Sequence, residues 1–185
     1  MFLLAALALQ LTEPTPDVVP FEVQGFRAQV EVMIDAPRQE VFDAATGDVS
    51  PWWDHTFWLE TPAELVIEPK FGGLFYERFE EGSDNGVVHA RVIGVHAPQM
   101  LRMDGPLGLA GRGYQLVTTW QLEEAEDPSQ TRFTVEISMI GEVDAELAGI
   151  VRAVWVHFIE GRLKPYVEAG CHLAPDSPCG AFETP

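Results

Sequence analysis

Three tryptophans lie close together in the first third of the chain: Trp52 and Trp53 are adjacent, and Trp58 follows five residues later. Their large rings, each with one polar N–H, are suited to stacking on an apolar or aromatic ligand. The same rings can instead pack a core or a lid, and that alternative stands for each of them. We treat all three as candidate ligand-binding residues at the mouth of a pocket.

Two later tryptophans and one phenylalanine extend this aromatic set. Trp120 falls on one side of an alternating segment, and Trp155 and Phe158 fall on the apolar face of a C-terminal amphipathic segment. All three therefore face the predicted core, where such rings either fill space or line a cavity. They join the candidate ligand-binding residues, with core packing as the alternative.

Two pairs of residues have the i, i+2 spacing that places them on one face of a strand: Tyr76 with Arg78, and His89 with Arg91. Facing inward, they would form a polar cluster able to fix a carboxylate or carbonyl group of a ligand. Facing outward, they are ordinary solvent-exposed residues. Because positions 88, 90 and 92 are apolar, the pattern favours the outward orientation for His89 and Arg91. Tyr76 and Arg78 are retained as candidate ligand-binding residues.

Evidence for catalysis is weaker. His157, on the flank of the last predicted helix, could act as a general acid or base, but a histidine at a helix border is usually structural. The sequence has no glycine-rich phosphate loop, no H-E-x-x-H motif and no G-x-S-x-G motif. No metal-ligand spacing stands out. We assign no catalytic residue, no metal ligand and no cofactor, and we favour a binding protein over an enzyme.

The elements that must position these residues are mostly strands. Segments with strand-like alternation or short apolar runs cover residues 27–34, 64–68, 74–79, 87–95, 100–103, 114–122 and 131–140. Turn residues separate most of them, as in the loop from Glu81 to Gly86. Strands joined by such hairpins pair antiparallel, so we expect a curved antiparallel sheet of about six to seven strands.

Helices occur at two places. Val41 and Phe42 form the apolar face of a short helix after the first strand, and the segment around Trp52 is predicted as a second short helix or an ordered loop. Apolar residues then recur every three or four positions from Asp144, which predicts a long helix to about Gly170 that proline 165 kinks or ends. The predicted fold class is α+β, with the sheet wrapped around the long helix and a cavity between them.

The charge of the chain is strongly negative, with 11 Lys and Arg against 29 Asp and Glu and a net charge of −18. Such a chain repels phosphate backbones and anionic lipid headgroups, so nucleic acid and membrane surfaces are not expected partners. The excess acid is typical of a solubilising surface, and an acidic face for a cationic partner is the alternative. Oligomeric state is not indicated.

Both chain ends differ from the central part. Residues 2–9 form an apolar run that contains the A-x-A-like pattern Ala6-Leu7-Ala8, and a proline-rich linker follows to position 20. This pattern predicts a signal peptide and a periplasmic or secreted location, with the cytoplasm as the alternative. The domain itself is expected over residues 21–170. Residues 171–185 form a tail in which Cys171 and Cys179 are candidates for a disulfide.

Three motifs carry a family resemblance. Residues 32–37 read Val-Met-Ile-Asp-Ala-Pro, residues 67–78 read Ile-Glu-Pro-Lys-Phe-Gly-Gly-Leu-Phe-Tyr-Glu-Arg, and residues 131–135 read Thr-Arg-Phe-Thr-Val. Their order and spacing resemble the helix-grip (START-like) proteins of the SRPBCC superfamily. The closest likeness is to the branch named for the activator of Hsp90 ATPase. None of these motifs is catalytic, so the resemblance bears on fold more than on function.

The resemblance implies a function located in the cavity. The leading expectation is the binding of a small hydrophobic molecule between the sheet and the C-terminal helix. One alternative is a cyclase- or hydratase-type enzyme that uses the same cavity, which would need a buried acid or base. The other is a protein-interaction module of the cochaperone kind. An exported chain would not meet Hsp90.

Overall fold

In the computed structural model, residues 21–58 and 61–173 are described. The strands are β1 (Gln24–Ile34), β2 (Gly47–Asp48), β3 (Glu64–Ile67), β4 (Leu74–Arg78), β5 (Gly86–His96), β6 (Met100–Asp104), β7 (Gln115–Glu124) and β8 (Thr131–Gly141). The α-helices are α1 (Arg38–Ala45), α2 (Ala145–Val156) and α3 (Lys164–Glu168), and 3₁₀ turns cover Leu107–Leu109 and Cys171–Leu173. The predicted α+β class is confirmed.

One antiparallel sheet holds all eight strands in the order β1-β8-β7-β6-β5-β4-β3-β2. The predicted hairpins are confirmed, and β1 closes on β8 through eleven paired positions from Gln24 with Gly141 to Ile34 with Thr131. The sheet has one strand more than expected because the two residues of β2 pair with the end of β3. Two residues are too few to show alternation in a sequence.

The C-terminal helix packs against this sheet. Asp144 caps its start, because the Asp144 side chain accepts a hydrogen bond from the backbone N–H of Leu147. The helix does not end at Pro165. Instead, α2 passes into a π-helical segment at His157–Leu163, and Pro165 sits in the first turn of α3. The wider π turns lie just ahead of the proline, whose ring and missing N–H disfavour a regular α-helix there.

The predicted second short helix is a single turn. The backbone N–H groups of Trp52 and Trp53 both donate to the carbonyl of Val49, and no further helical turn follows. From there the chain is irregular, and we call residues 52–58 the strap. Among the described residues between β1 and β3, α1 is therefore the only helix.

Strand β5 contains a bulge that matters for the site. Phe75 of β4 pairs with Ala90, and Tyr76 pairs with Val88, so His89 is an extra residue with no partner across the ladder. A bulge lets two consecutive residues turn toward the same face. Both His89 and Ala90 are consequently buried, with 3% and 2% of their surface exposed.

Several expectations concern residues that the structure leaves out. The predicted signal peptide and linker, residues 1–20, and all but the start of the tail lie outside the described residues. Cys171 is buried and is not a free thiol, but its expected disulfide partner, Cys179, lies outside the described part, so the pairing stays a prediction. Among the described residues, no helix combines the length and apolarity that crossing a bilayer requires.

Candidate functional site

A cavity of about 250 Å³ lies between the sheet and the C-terminal helix. Its walls come from β4, β5, β7, the loop after β6, helix α2 and the strap. Most lining side chains are apolar, and they include Phe75, Leu107, Leu116, Val151 and Val154. The cavity opens where lining residues are themselves exposed, at His55, Gly108 and Ile150. We call this opening the mouth.

An aromatic cluster forms part of the cavity wall. The ring of Trp53 stacks on Phe158, with centroids 3.9 Å apart and planes inclined by 20°. Two further rings make edge-to-face contacts with Trp53. The ring centroid of Phe75 lies 5.0 Å and that of Trp155 5.9 Å from the centroid of Trp53, and the ring planes are nearly perpendicular. Such edge-to-face contacts hold the rings in fixed orientations. The structure thus brings together three of the predicted ligand-binding residues, Trp53, Trp155 and Phe158, in the cavity lining.

His89 contributes a polar group to this lining, contrary to the outward orientation that the sequence favoured. The prediction was wrong because it assumed unbroken alternation along β5, whereas the bulge turns His89 inward together with Ala90. Arg91 does point outward, as expected, and is exposed. The extra residue of the bulge thus adds an imidazole to the wall beside Ala90.

Glu77 supports His89 from behind. Its side chain is 1% exposed, and its Oε2 lies 3.3 Å from Nε2 of His89 while accepting a hydrogen bond from the backbone N–H of Phe57 at 2.7 Å. The other oxygen, Oε1, has no hydrogen-bond partner among the described residues. One buried carboxyl group therefore orients the imidazole and fixes the strap to β4 at the same time.

The protonation of His89 follows from its burial. Desolvation lowers the pKa of His89 below its usual value, and the opposing influence of a hydrogen bond to the backbone of Leu107 and of the nearby Glu77 does not compensate. The imidazole is therefore held in its neutral form at neutral pH. A neutral imidazole adds a polar group to the wall without the cost of a buried charge.

Tyr76 and Arg78 lie outside the cavity, on the outer face of β4. Both donate to the same carboxylate: the hydroxyl of Tyr76 lies 2.9 Å, and Nε of Arg78 3.2 Å, from Oε2 of Glu64. The prediction that Tyr76 and Arg78 face the cavity was wrong, because Phe75 and Glu77 occupy the inner face of this strand. Each face of β4 carries one aromatic and one charged residue, so the pattern alone did not decide the orientation.

The remaining predicted tryptophans do not line the cavity. Trp52 is fully buried and donates from Nε1 to the carbonyl of Ala44, which anchors the strap to α1. Trp120 is fully buried in the core, edge-on to Trp155, and its Nε1 has no partner among the described residues. Trp58 is 73% exposed. Trp52 and Trp120 therefore pack the core, which was the alternative to ligand binding for both residues.

A second polar group, Asp54 with two histidines, stands at the mouth. Nδ1 of His55 lies 2.9 Å from Oδ1 of Asp54, and Nε2 of His157 lies 3.0 Å and 2.9 Å from its two oxygens. Nε of Arg162 lies 3.4 Å from Oδ2. Burial acts to raise the pKa of Asp54, but the hydrogen bonds from His55 and His157 and the charges of His157 and Arg162 outweigh it and lower that pKa.

This group was not foreseen, because His157 is 103 residues away from Asp54 in the sequence. The sequence indicates a structural role for His157, or a general acid or base, but not a partner for Asp54. The inward orientation of His89 was disfavoured because the bulge breaks the alternation of β5. Glu77 was missed because the pattern of β4 does not decide which of its faces is buried. Phe75 offered the usable signal, since a phenylalanine on the inner face of β4 places Glu77 there as well.

Comparisons with solved structures match this architecture. DynU16, a protein in the dynemicin biosynthetic locus, has a TM-score of 0.54 and 23% identity over 78% of this chain and 48% of its own. SA2116 from Staphylococcus aureus has a TM-score of 0.59 and 13% sequence identity, and the match covers 82% of this chain and 98% of SA2116. MLL2253 from Mesorhizobium loti has a TM-score of 0.57 and 20% sequence identity, and the match covers 78% of this chain and 98% of MLL2253.

The chain has a helix-grip fold. At these identities, the likeness concerns the fold and not the activity. The chain spans about half the length of DynU16. No family model and no curated protein matches the sequence. The function of this helix-grip domain must therefore be argued from its own cavity.

Proposed function

We propose that the protein binds a small, largely apolar molecule that carries one polar group, in the cavity between the sheet and the C-terminal helix. The observation that carries this proposal is an apolar cavity of about 250 Å³ whose wall includes one buried, neutral histidine. Ligand sites of proteins have this composition, with apolar walls and a few placed polar groups.

The size of the cavity limits the ligand. A cavity of about 150 Å³ accepts benzene, so 250 Å³ is suited to a molecule of about ten non-hydrogen atoms, such as two fused rings. The rings of Trp53 and Phe75 offer flat surfaces, and the polar part of the lining comes from His55, Thr56 and His89. Burial of so few atoms supports a dissociation constant of roughly 1 to 100 μM.

The mouth supports the same proposal. Phe57 and Ile150, which are 42% and 53% exposed, lie beside or in the lining, and Trp58 continues the strap with an exposed ring. Exposed apolar side chains around an opening favour the entry of an apolar molecule. The hydrogen bond from the backbone N–H of Phe57 to the Glu77 carboxyl group keeps this part of the strap in place.

Two experiments test the proposal. Native mass spectrometry of the full chain from its own host identifies any molecule that copurifies. Titration calorimetry with 2-naphthol measures uptake directly, in wild type, in Val154→Phe, which fills the cavity, and in Ala153→Phe, an exposed position on the same helix outside the lining. We expect one site in the wild type and in Ala153→Phe and none in Val154→Phe. Equal binding by both variants, or no copurified molecule and no uptake, would overturn the proposal.

The buried His89–Glu77 pair favours a second candidate, an acid–base enzyme of the cyclase or hydratase kind that uses the same cavity. A neutral imidazole held by a buried carboxyl group is suited to proton transfer. The test is incubation of the copurified molecule with wild type and with His89→Gln, followed by mass analysis of the small molecule. A product formed only by the wild type supports the enzyme, and an unchanged molecule supports the binding protein.

We also infer, from the hairpin motif at residues 67–78, a relation to the activator of Hsp90 ATPase branch. Gly72 of this motif has a φ of +73°, and a Cβ at Gly73 would lie 2.4 Å from the carbonyl oxygen of Glu68, so the turn requires glycine at both positions. This turn geometry supports a structural relation to that branch. The cavity between the sheet and the C-terminal helix, however, favours ligand binding or catalysis over a role as a protein-interaction module.

A further inference from the structure

We propose that Asp54, His55 and His157 bind one divalent transition-metal cation, such as Zn²⁺, at the mouth of the cavity. The three side chains offer one carboxylate oxygen and two imidazole nitrogens, all within 4.8 Å of one another. Two imidazoles and a carboxylate are a common ligand set for Zn²⁺ and other first-row cations.

The arrangement of the ligand atoms is close to that of a metal site. Oδ1 of Asp54 is the shared centre, 2.9 Å from Nδ1 of His55 and 3.0 Å from Nε2 of His157. Ligand atoms around a tetrahedral Zn²⁺ lie roughly 3.4 Å apart, from its bond lengths of about 2.1 Å. A small outward movement of the two imidazoles therefore makes room for the cation.

A neighbouring arginine holds one of the three ligands, Asp54, in position. Nε of Arg162 lies 3.4 Å from Oδ2 of Asp54 and donates to the carbonyl of Trp52 at 3.2 Å, so the guanidinium is fixed beside the oxygen that faces away from His55. Partners of this kind orient metal ligands in known sites. His157 is the first residue of the π-helical segment, and such segments occur frequently at functional sites.

Three protein ligands leave at least one coordination position for another molecule. His55 is part of the cavity lining, so this position borders the mouth. In this respect the inference rests on the proposed function: a cation here would favour ligands whose polar group is a carboxylate. The net charge of −18 raises the local concentration of cations around the whole molecule, which makes a comparison between variants essential.

The test is calorimetric titration of the chelator-treated full chain with Zn²⁺. We expect one site in the wild type, weakened at least tenfold in His157→Ala, in Asp54→Asn and in His55→Ala. The His55 side chain is 56% exposed, so its removal leaves folding intact even where the other two variants do not fold. The control is His96→Ala, an exposed histidine at the end of β5, which should bind as the wild type does. No binding, or equal binding by His55→Ala and the control, would overturn the site.

The same titrations separate this site from the cavity. Zn²⁺ binding without any uptake of 2-naphthol would overturn the cavity proposal and leave the metal site standing. Uptake of 2-naphthol without Zn²⁺ binding would overturn the metal site and leave the cavity proposal standing. Where both hold, naphthalene-2-carboxylate should bind more tightly with Zn²⁺ present than without it, and this gain should disappear in His55→Ala.

Discussion

Nε2 of His89 lies 3.3 Å from Oε2 of Glu77, and both side chains are almost completely buried. The first belongs to the cavity lining and the second lies behind it. The pair joins adjacent strands, and through Phe57 it also joins the sheet to the strap. Its removal should therefore affect both the stability of the domain and the shape of the cavity.

We expect Glu77→Ala to lower the free energy of unfolding by about 1 to 3 kcal/mol, because the N–H of Phe57 and the imidazole of His89 lose their buried partner. Urea denaturation measures this change. Glu80→Ala is the control, since Glu80 is exposed beyond the end of β4 and should change stability by less than about 0.5 kcal/mol. Equal effects of the two substitutions would contradict the structural role of Glu77.

Acid should destabilise the protein partly through His89. The folded state lowers the pKa of this imidazole below 6.5, so below that pH the unfolded chain binds a proton that the folded chain does not. Stability must then fall as the pH falls, until the folded form is itself protonated. We expect the free energy of unfolding to decrease more steeply between about pH 7 and pH 5 in the wild type than in His89→Gln. Parallel curves would show that His89 is not held neutral by the fold.

Phe158 should be a major source of stability. It is 3% exposed and stacks on Trp53, so Phe158→Ala is expected to cost about 3 to 5 kcal/mol and to enlarge the cavity. Thermal unfolding measures the loss. Trp58→Ala, at a ring that is 73% exposed, provides the comparison and should stay within about 0.5 kcal/mol of wild type. A larger effect at Trp58 would mean that its ring is packed.

Ligand uptake should distinguish the cavity lining from the outer face of β4. Arg78 contacts Glu64 on the outer face, so Arg78→Ala should change the affinity for 2-naphthol by less than about twofold. Trp53→Ala removes a ring of the lining and should weaken that affinity by about tenfold or more. Calorimetry compares both variants with the wild type, and circular dichroism checks their folding. A strong effect of Arg78→Ala alone would place the binding site elsewhere.

Gly105 allows the loop after β6 to approach β5. A Cβ at this position would lie 2.4 Å from the carbonyl oxygen of His89 and 2.5 Å from Cα of Ala90, and both are backbone atoms. Gly105→Ala should therefore destabilise the domain by about 1 to 3 kcal/mol and displace the loop that lines the cavity. Gly108→Ala, three residues later, meets nothing within 4 Å and should be tolerated. Urea denaturation measures the free energy of unfolding of both variants, and equal values would contradict the close approach at Gly105.

Regular patterns explain how much of this fold was predictable. The alternation of β7 and β8 and the helical period from Asp144 each extend over many residues, and the structure confirms these elements. Among the aromatic lining residues, Trp155 and Phe158 followed from that helical period, and Trp53 followed from the cluster of tryptophans. Features that depend on how two segments align in space could not be predicted. The bulge at His89 depends on how β4 aligns with β5, and the contact of Asp54 with His157 depends on the complete fold.

The bulge has one more consequence. Since His89 is supernumerary in the ladder, the strand on either side of it would pair equally well if that one residue were deleted. The polarity of the cavity wall is thus separable from the pairing of β4 with β5, while the contact of His89 with Glu77 still contributes to stability. Related domains can gain or lose an inward polar group by a one-codon insertion or deletion, without rebuilding the scaffold that carries it.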